Sequence, residues 1–362
     1  MATVYQAEIN YSCFLNPDGS TSGKLPDWTA SPEALVGYYR NMVLARQLDT
    51  KIIALQRTGQ IGTYASLLGS EAIDAVTGAL MTAQDVLIPY YRNHALQMFR
   101  GQDIADMMSY WGGDERGNSD PAMGQDFPNA VPIATQALHA TGVATAFKIR
   151  GEKRVAVTHC GDGATSKGDF MEALNVAGAW QLPVLFIINN NQWAISVPRS
   201  IQCGAETLAQ KAMAAGIRGE QVDGNDVIAL HEAISTALKH AREGKGATLI
   251  EAISYRLSDH TTADDATRYR QNDELKEAWE REPIKRLQTF LHQQGWWDEV
   301  QEKAWLDEVS QIISQSVERY LNMPDQPVTN MIDYLYAELP VALQEQRERI
   351  IRNAQPGGNH HE

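Results

Sequence analysis

Cysteine is scarce. Cys13, Cys160 and Cys203 are the only three in 362 residues. Their wide spacing and odd number exclude a disulfide framework and a CxxC-type metal site, and fit a reducing cytoplasm. Basic blocks are missing too. The 31 Lys and Arg are scattered among 45 Asp and Glu, for a net charge of −14. That argues against duplex nucleic acid and against an anionic membrane surface as partners. No stretch approaches the roughly 20 apolar residues of a membrane span. "MATVYQAEINYSCF" lacks a basic region followed by an apolar run, so no signal peptide is expected. No internal repeat is present. What the chain does have is apolar material, 43% of its residues, ample for a large α/β core.

Residues 1–30 are polar and turn-rich and read as an N-terminal extension of loop. Ser31-Pro32-Glu33-Ala34 reads as N-cap, first-turn proline and acid, opening a long helix. "DVLIP", "KRVAVTHC", "PVLFIIN" and "GATLIEAISYR" read as buried strands, and "GEQVDG" as a short strand or turn. Helical patterns alternate with them: "SEAIDAVTGALMTA", "DIADMMSYWGG", "ATQALHATGVATAFKIRG", "DFMEALNVAGAWQL" and "DVIALHEAISTALKHAREGK". Apolar strands alternating with helices predict a doubly wound, mainly parallel sheet over 31–271. From 272 to 362 the chain reads as a charged helical region with a frayed tail.

In open α/β sheets, ligands gather outside the carboxyl ends of the strands. Tyr91 and Arg92 follow the first predicted strand, and Gly161-Asp162-Gly163 the second. Asn190 and Asn191 follow the third, and His260 the last. One helix and one strand separate Asp162 from Asn191, and a right-handed crossover returns the chain to the same sheet edge. Two hard oxygen donors could there meet one Mg²⁺, which takes one or two carboxylates together with substrate phosphates and water. Gly163 allows close approach of backbone to phosphate, the following helix N-terminus adds partial positive charge, and Arg92 could neutralise a phosphate. "GDGATSKG" is neither a Walker A loop nor GxGxxG, because Ser166 stands where a glycine is required.

Gly161-Asp162-Gly163 followed after twenty-six residues by Asn190-Asn191 resembles the thiamine diphosphate signature. "TGQIGTYASLLGSEA", "IPYYRNHALQMFRG", "GDGATSKGDFMEALNVAGAW", "NNNQWAISVP", "YRLSDHTTADDATRYR" and "YAELPVALQEQ" narrow the resemblance. From about residue 30 to 347 the chain resembles the alpha subunit of the first, decarboxylating component of 2-oxo acid dehydrogenase complexes. The pyruvate type looks closest, although "LIPYYR" and "QGWWDEVQEKAW" lean toward the branched-chain enzyme. The resemblance implies that Asp162, the Asn191 side chain and the Trp193 carbonyl ligate Mg²⁺. It implies that Gly163, Ala164, Arg92 and His260 meet the diphosphate, with His260 also near the reacting carbon. Tyr91, Val131 and Ile133 would face the aminopyrimidine, and Asp169 and Glu172 would line a polar channel between paired sites. Ala65 replaces a histidine that some relatives carry, so that substrate contact does not transfer.

The implied reaction is oxidative decarboxylation of a small 2-oxo acid, pyruvate foremost, with the acyl group passed to a lipoyl-bearing acyltransferase. His260 would suit proton handling, its ordinary pKa lying near 6.5. The implied partner is a beta subunit in an α2β2 assembly, which supplies the activating glutamate. Small residues in "ATQALHATGVA" and "EALNVAGA" offer close helix contact. The alternatives are a branched-chain or acetoin-type enzyme, or a non-catalytic subunit that keeps the fold.

Each residue also has an ordinary reading. Asp162 alone could be a turn residue, Asn190 a turn cap and Arg92 half of a surface ion pair. Val131 and Ile133 could be core. Ser166-x-x-Asp169 fits a capping box. His94, His139 and His159 read as structural or solvated, and Cys160 as an inert buried thiol.

Overall fold

The computed structural model describes residues 2–4, 6–118 and 121–354. Of the tail read as frayed, 353–362, residues 353 and 354 are helical, and those from 355 onward lie outside the described residues. The chain divides into two compact units, one ending at Val317 and one beginning at Glu318.

The strands are β1 (Tyr11–Ser12), β2 (Val86–Ile88), β3 (Ala156–Gly161), β4 (Val184–Asn190), β5 (Trp193–Ala194), β6 (Val197–Pro198), β7 (Arg218–Asp223) and β8 (Thr248–Ile253). Among them run α1 (Pro32–Arg57), α2 (Glu71–Leu80), α3 (His94–Phe99), α4 (Ile104–Trp111), α5 (Thr135–Arg150), α6 (Gly168–Ala179), α7 (Arg199–Gln202), α8 (Lys211–Ala215) and α9 (Val227–Arg242). After β8 come α10 (Asn272–Glu280), α11 (Pro283–Gln293) and α12 (Glu299–Leu321), which reaches into the second unit. That unit also holds α13 (Asn330–Asp333) and α14 (Val341–Ala354), tied by an Arg347–Asp333 ion pair at 2.5 Å.

Six strands form one parallel sheet in the order β1-β7-β8-β4-β3-β2, the doubly wound arrangement expected from the sequence. Every residue of β4 is buried, as a strand covered on both faces requires. Ala156 and Cys160 of β3 and Val184, Phe186 and Ile188 of β4 share one apolar layer with α5 and α6. The alternate residues, including Val157, Leu185 and Ile187, are equally buried, and α9 packs against β4, β7 and β8.

Two sequence expectations change. The N-terminal extension is not all loop, because Tyr11 and Ser12 pair in parallel with Gln221 and Val222. Two residues are too short for alternation to show. Many of the small residues of "ATQALHATGVA" and "EALNVAGA" are used inside the chain, while Gly142 and Ala179 stay exposed. Ala137, Ala140, Ala144, Ala173 and Ala177 are buried where α5 packs on α6, so they supply no free face.

Four buried ionisable groups oppose one another. Burial lowers the pKa of His94 and of His159 to about 3, so the unfolded chain binds more protons below about pH 6.5 and these two lose stability on acidification. Burial raises Asp49 to about 6 and Asp74 to about 7. Their contribution is full below about pH 4 and is lost as pH rises through 6 to 7. The slopes offset each other between pH 4 and 6. Asp74→Asn removes one acid term. The unfolding free energy of the variant should then decline as the pH is lowered from 6 toward 4, by up to about 1.4 kcal/mol per unit, where these four groups leave the parent nearly flat. Parallel slopes for variant and parent would refute this.

Candidate functional site

Gly161 of β3 pairs with Asn189 of β4, and Asn190 with Ile253 of β8. The three strands therefore end together, and the segments leaving them meet at one edge. A cavity of about 220 Å³ opens there. All ten residues assigned to the site from the sequence line it: Tyr91, Arg92, Val131, Ile133, Asp162, Gly163, Ala164, Asn191, Trp193 and His260.

Asp162 is 1% exposed, and neither carboxylate oxygen accepts a hydrogen bond of normal geometry. Desolvation raises its pKa to about 6, against the pull of main-chain N–H groups, including that of Asn191, and of the Arg256 and Arg199 charges. A buried carboxylate left this way is costly unless a cation reaches it. The donor set fits a hard cation: beside the carboxylate stand the Asn191 amide, whose Oδ1 accepts Trp193 N–H at 3.2 Å, and the Trp193 carbonyl. Among the described residues no three His, Cys, Asp or Glu converge as a metal cluster. Such an ion would rely on one acid, one amide, a main-chain oxygen and groups outside the chain.

Asp162–Ser166 is a single 3₁₀ turn, and α6 starts only at Gly168. Gly163 and Ala164 thus belong to the turn, not to the helix N-terminus. The Ser166/Asp169 capping box does not form, because α6 has Lys167 at its N-cap and no side-chain cap bond. Gly163 is required by space. A Cβ there would lie 2.6 Å from Ala194 Cβ, on the β5–β6 ribbon that carries Trp193. Asp169 is half-buried and Glu172 exposed, and neither lines the cavity.

Arg92 is 2% exposed and is no surface ion pair. Among the described residues no carboxylate lies within salt-bridge distance of it. Its Nη1 donates to the Ser66 carbonyl, and Nη2 to the His260 carbonyl at 3.1 Å and toward His260 Nδ1 at 3.3 Å. An accepting Nδ1 leaves the His260 proton on Nε2. Burial, then Arg92 and Arg256, lower the His260 pKa to about 4. The ring is therefore neutral at pH 7 and acts as an Nε2–H donor, not as the group poised near 6.5 that the sequence suggested. Val131 and Ile133 are 55% and 43% exposed, so they are not core. They give the cavity an apolar rim. Asn190 donates to the buried Glu251 carboxylate at 2.6 Å and ties the β4 end to β8.

The sequence reading missed Arg256, which it took as the last residue of the strand and which lies three residues beyond the end of β8. It is 1% exposed, donates to the carbonyls of Trp193 at 3.3 Å and Ile195 at 2.9 Å and to Tyr269 Oη at 2.7 Å, and has no carboxylate in salt-bridge reach among the described residues. Its position at the carboxyl end of β8 was the available signal. Arg92 on the cavity wall makes the cavity attractive to an anion, and Arg256 adds buried positive charge behind the Trp193 carbonyl. The backbone is strained here as well. Ala134 (φ 68°), Gln192 (φ 72°) and Ile195 (φ 56°) are left-handed, which costs a β-branched residue about 1–3 kcal/mol. The cavity thus offers one unpaired acid for a cation, the Arg92 guanidinium for a phosphate-like anion, and an apolar rim.

Comparison with known proteins identifies the family. Residues 39–329 match the family model described as "Dehydrogenase E1 component". A protein of Mycobacterium tuberculosis named 3-methyl-2-oxobutanoate dehydrogenase subunit alpha is 38% identical over 337 residues, 93% of this chain and 92% of its own length. Pyruvate dehydrogenase E1 component subunit alpha of Staphylococcus epidermidis is 37% identical over 346 residues, covering 95% and 93%. That of Staphylococcus aureus is 39% identical over 325 residues, covering 90% and 87%.

Proposed function

The chain belongs to the dehydrogenase E1 component family, and from that premise we propose that it is the alpha subunit of a pyruvate dehydrogenase first component. It would bind thiamine diphosphate through Mg²⁺ and pass the acetyl group to a lipoyl-bearing acyltransferase. The observation that carries this is the Asp162 carboxylate, buried and without a hydrogen-bond partner at the strand edge it shares with Asn191. When bound, thiamine diphosphate supplies a ring that holds the electron pair released as a 2-oxo acid loses carbon dioxide.

The chain's own residues do the rest. Asp162, Asn191 Oδ1 and the Trp193 carbonyl hold the cation. That carbonyl accepts a long 3.3 Å bond from Arg256, and a second lone pair would serve the metal. Gly163 and Ala164 bring main-chain N–H groups to the diphosphate, and Arg92 neutralises it. His260 keeps its proton on Nε2 and would offer it as a hydrogen bond to the substrate oxygen on which charge develops. Tyr91, Val131 and Ile133 exclude water from the cofactor ring.

The apolar rim and the lack of a glutamate among the cavity-lining residues support a beta subunit that closes the site and activates the cofactor, in an α2β2 assembly. Three free thiols, and the absence of any helix long and apolar enough to cross a membrane among the described residues, support a cytoplasmic setting.

The mycobacterial relative's name supports a second reading, a branched-chain 2-oxo acid as substrate. One methylene in an apolar pocket discriminates by only about 1–3 kcal/mol, so substrate choice must be measured. The co-expressed α/β complex should reduce an artificial acceptor with pyruvate at a higher kcat/KM than with 2-oxobutyrate or 3-methyl-2-oxobutanoate. Preference for the branched acid would establish the second reading. No turnover and no heat of thiamine diphosphate binding would leave a non-catalytic subunit.

A further inference from the structure

Asp49 lies in the middle of α1, far from the cavity in sequence, and is 0% exposed. No cation lies within salt-bridge reach of it among the described residues. Helix interiors disfavour aspartate, and a buried carboxylate without a cation needs every bond it can accept. Asp49 has three. Oδ1 accepts from Tyr64 Oη at 2.7 Å and Leu67 N at 2.8 Å, and Oδ2 from Ser66 Oγ at 2.7 Å. All three donors belong to one irregular segment, 64–67, between α1 and α2.

That segment is a junction. The Ser66 carbonyl accepts Arg92 Nη1. The Ala65 carbonyl meets His94 Nε2 at 2.8 Å. Tyr64 exchanges two bonds with Thr262, main-chain N to Thr262 Oγ1 at 3.0 Å and carbonyl from Thr262 N at 2.8 Å. One residue beyond the segment, the Leu68 carbonyl accepts Leu257 N at 3.2 Å. Residues 257–262, which carry His260, are thus clamped at both ends by 64–68, and Arg92 is held by the same stretch. From α1, Ala45 packs on Leu67, but Asp49 supplies the three hydrogen bonds that fix the polar groups of 64–67.

We propose that Asp49 is a positioning residue for cofactor binding: through residues 64–68 it holds Arg92 and the His260 segment in the geometry that receives the diphosphate. The proposal rests on the cofactor reading above. It assigns a cofactor-affinity role to a side chain that does not reach the cavity.

The test uses the co-expressed α/β complex. Thiamine diphosphate binding with Mg²⁺ is measured by calorimetry for the parent, Asp49→Asn and Ser66→Ala, with Leu35→Ala as a control destabilised elsewhere in α1. Backbone hydrogen exchange is followed without cofactor. Asp49→Asn should raise the cofactor Kd at least about tenfold, because an amide cannot accept from all three donors. It should leave the KM for the 2-oxo acid within about twofold, while kcat at saturating cofactor falls because the released segment carries His260. Exchange should quicken in 64–68 and 257–262 but not in α9. Ser66→Ala should show the same pattern, weaker. Leu35→Ala should lower the melting temperature and leave the cofactor Kd alone. A parental cofactor Kd in Asp49→Asn, or equal cofactor loss in Leu35→Ala, overturns the proposal. Failure of the parent complex to bind cofactor would overturn the cofactor reading itself, a distinguishable result. Should Asp49→Asn not fold, Ser66→Ala decides on the same criteria.

Discussion

Asp162→Ala should abolish magnesium-dependent binding of thiamine diphosphate and at the same time raise the stability of the cofactor-free protein. The two effects have one cause. Both carboxylate oxygens are buried without a hydrogen-bond partner, and burial holds the pKa near 6. At neutral pH the chain therefore carries a largely ionised, uncompensated group, whose cost a cation would offset. Removing it relieves a desolvation penalty on the order of 1–3 kcal/mol, partly offset by the small void left. Outer-sphere partners of a metal already cost 10–100-fold in affinity when lost, so loss of the ligand itself should cost at least about 100-fold. Calorimetry with and without Mg²⁺, and thermal unfolding of the cofactor-free α/β complex, report the two halves. Undiminished cofactor binding in the variant would falsify the metal assignment.

Gly69→Ala should be among the most damaging single-methyl changes in the chain. Gly69 has φ +94°, and an added Cβ would sit 1.9 Å from the Tyr255 carbonyl oxygen and 3.3 Å from Leu257 Cγ. Tyr255 and Leu257 flank Arg256, so the backbone that must yield is the one holding the Trp193 and Ile195 carbonyls in place. The left-handed φ and the clash with backbone add up to about 3 kcal/mol or more. We expect a lower denaturant midpoint and weakened cofactor binding together. Gly59→Ala also has a positive φ, +72°, but nothing lies within 4 Å of its added Cβ. It should cost only about 1 kcal/mol and leave cofactor binding intact. Equal effects of the two substitutions would show that the contact with Tyr255 is not the cause.

The sheet and the shared edge were legible because each rests on a local signal. Unbroken apolar runs such as "VLFII" announce strands buried on both faces, and polar residues directly after them mark the ligand-bearing edge. The ten assigned residues needed the resemblance as well, since Val131, Ile133 and Trp193 carry no distinctive chemistry. Tertiary context was not legible. Arg256 looks like the polar end of a strand until its carbonyl partners are seen. His260 looks ready to titrate until burial and two guanidiniums lower its pKa. Asp49 looks like one more acid on an amphipathic helix. The capping box failed for a local reason: Ser166 closes a 3₁₀ turn, which leaves Lys167 as the residue before α6.

The pairing of Tyr11 and Ser12 with β7 has a consequence for how the molecule comes together. Leu15 N–H donates to Asp226 at 2.8 Å, at a sequence separation of 211, and the same carboxylate caps α9. Contacts at that separation form slowly, because a long loop must close first. Until they do, the outer row of peptide groups on β7 is open to any other extended chain. The arm is a late-fitting seal, and versions shortened before residue 15 should reach the soluble fraction poorly even with every cavity-lining residue intact.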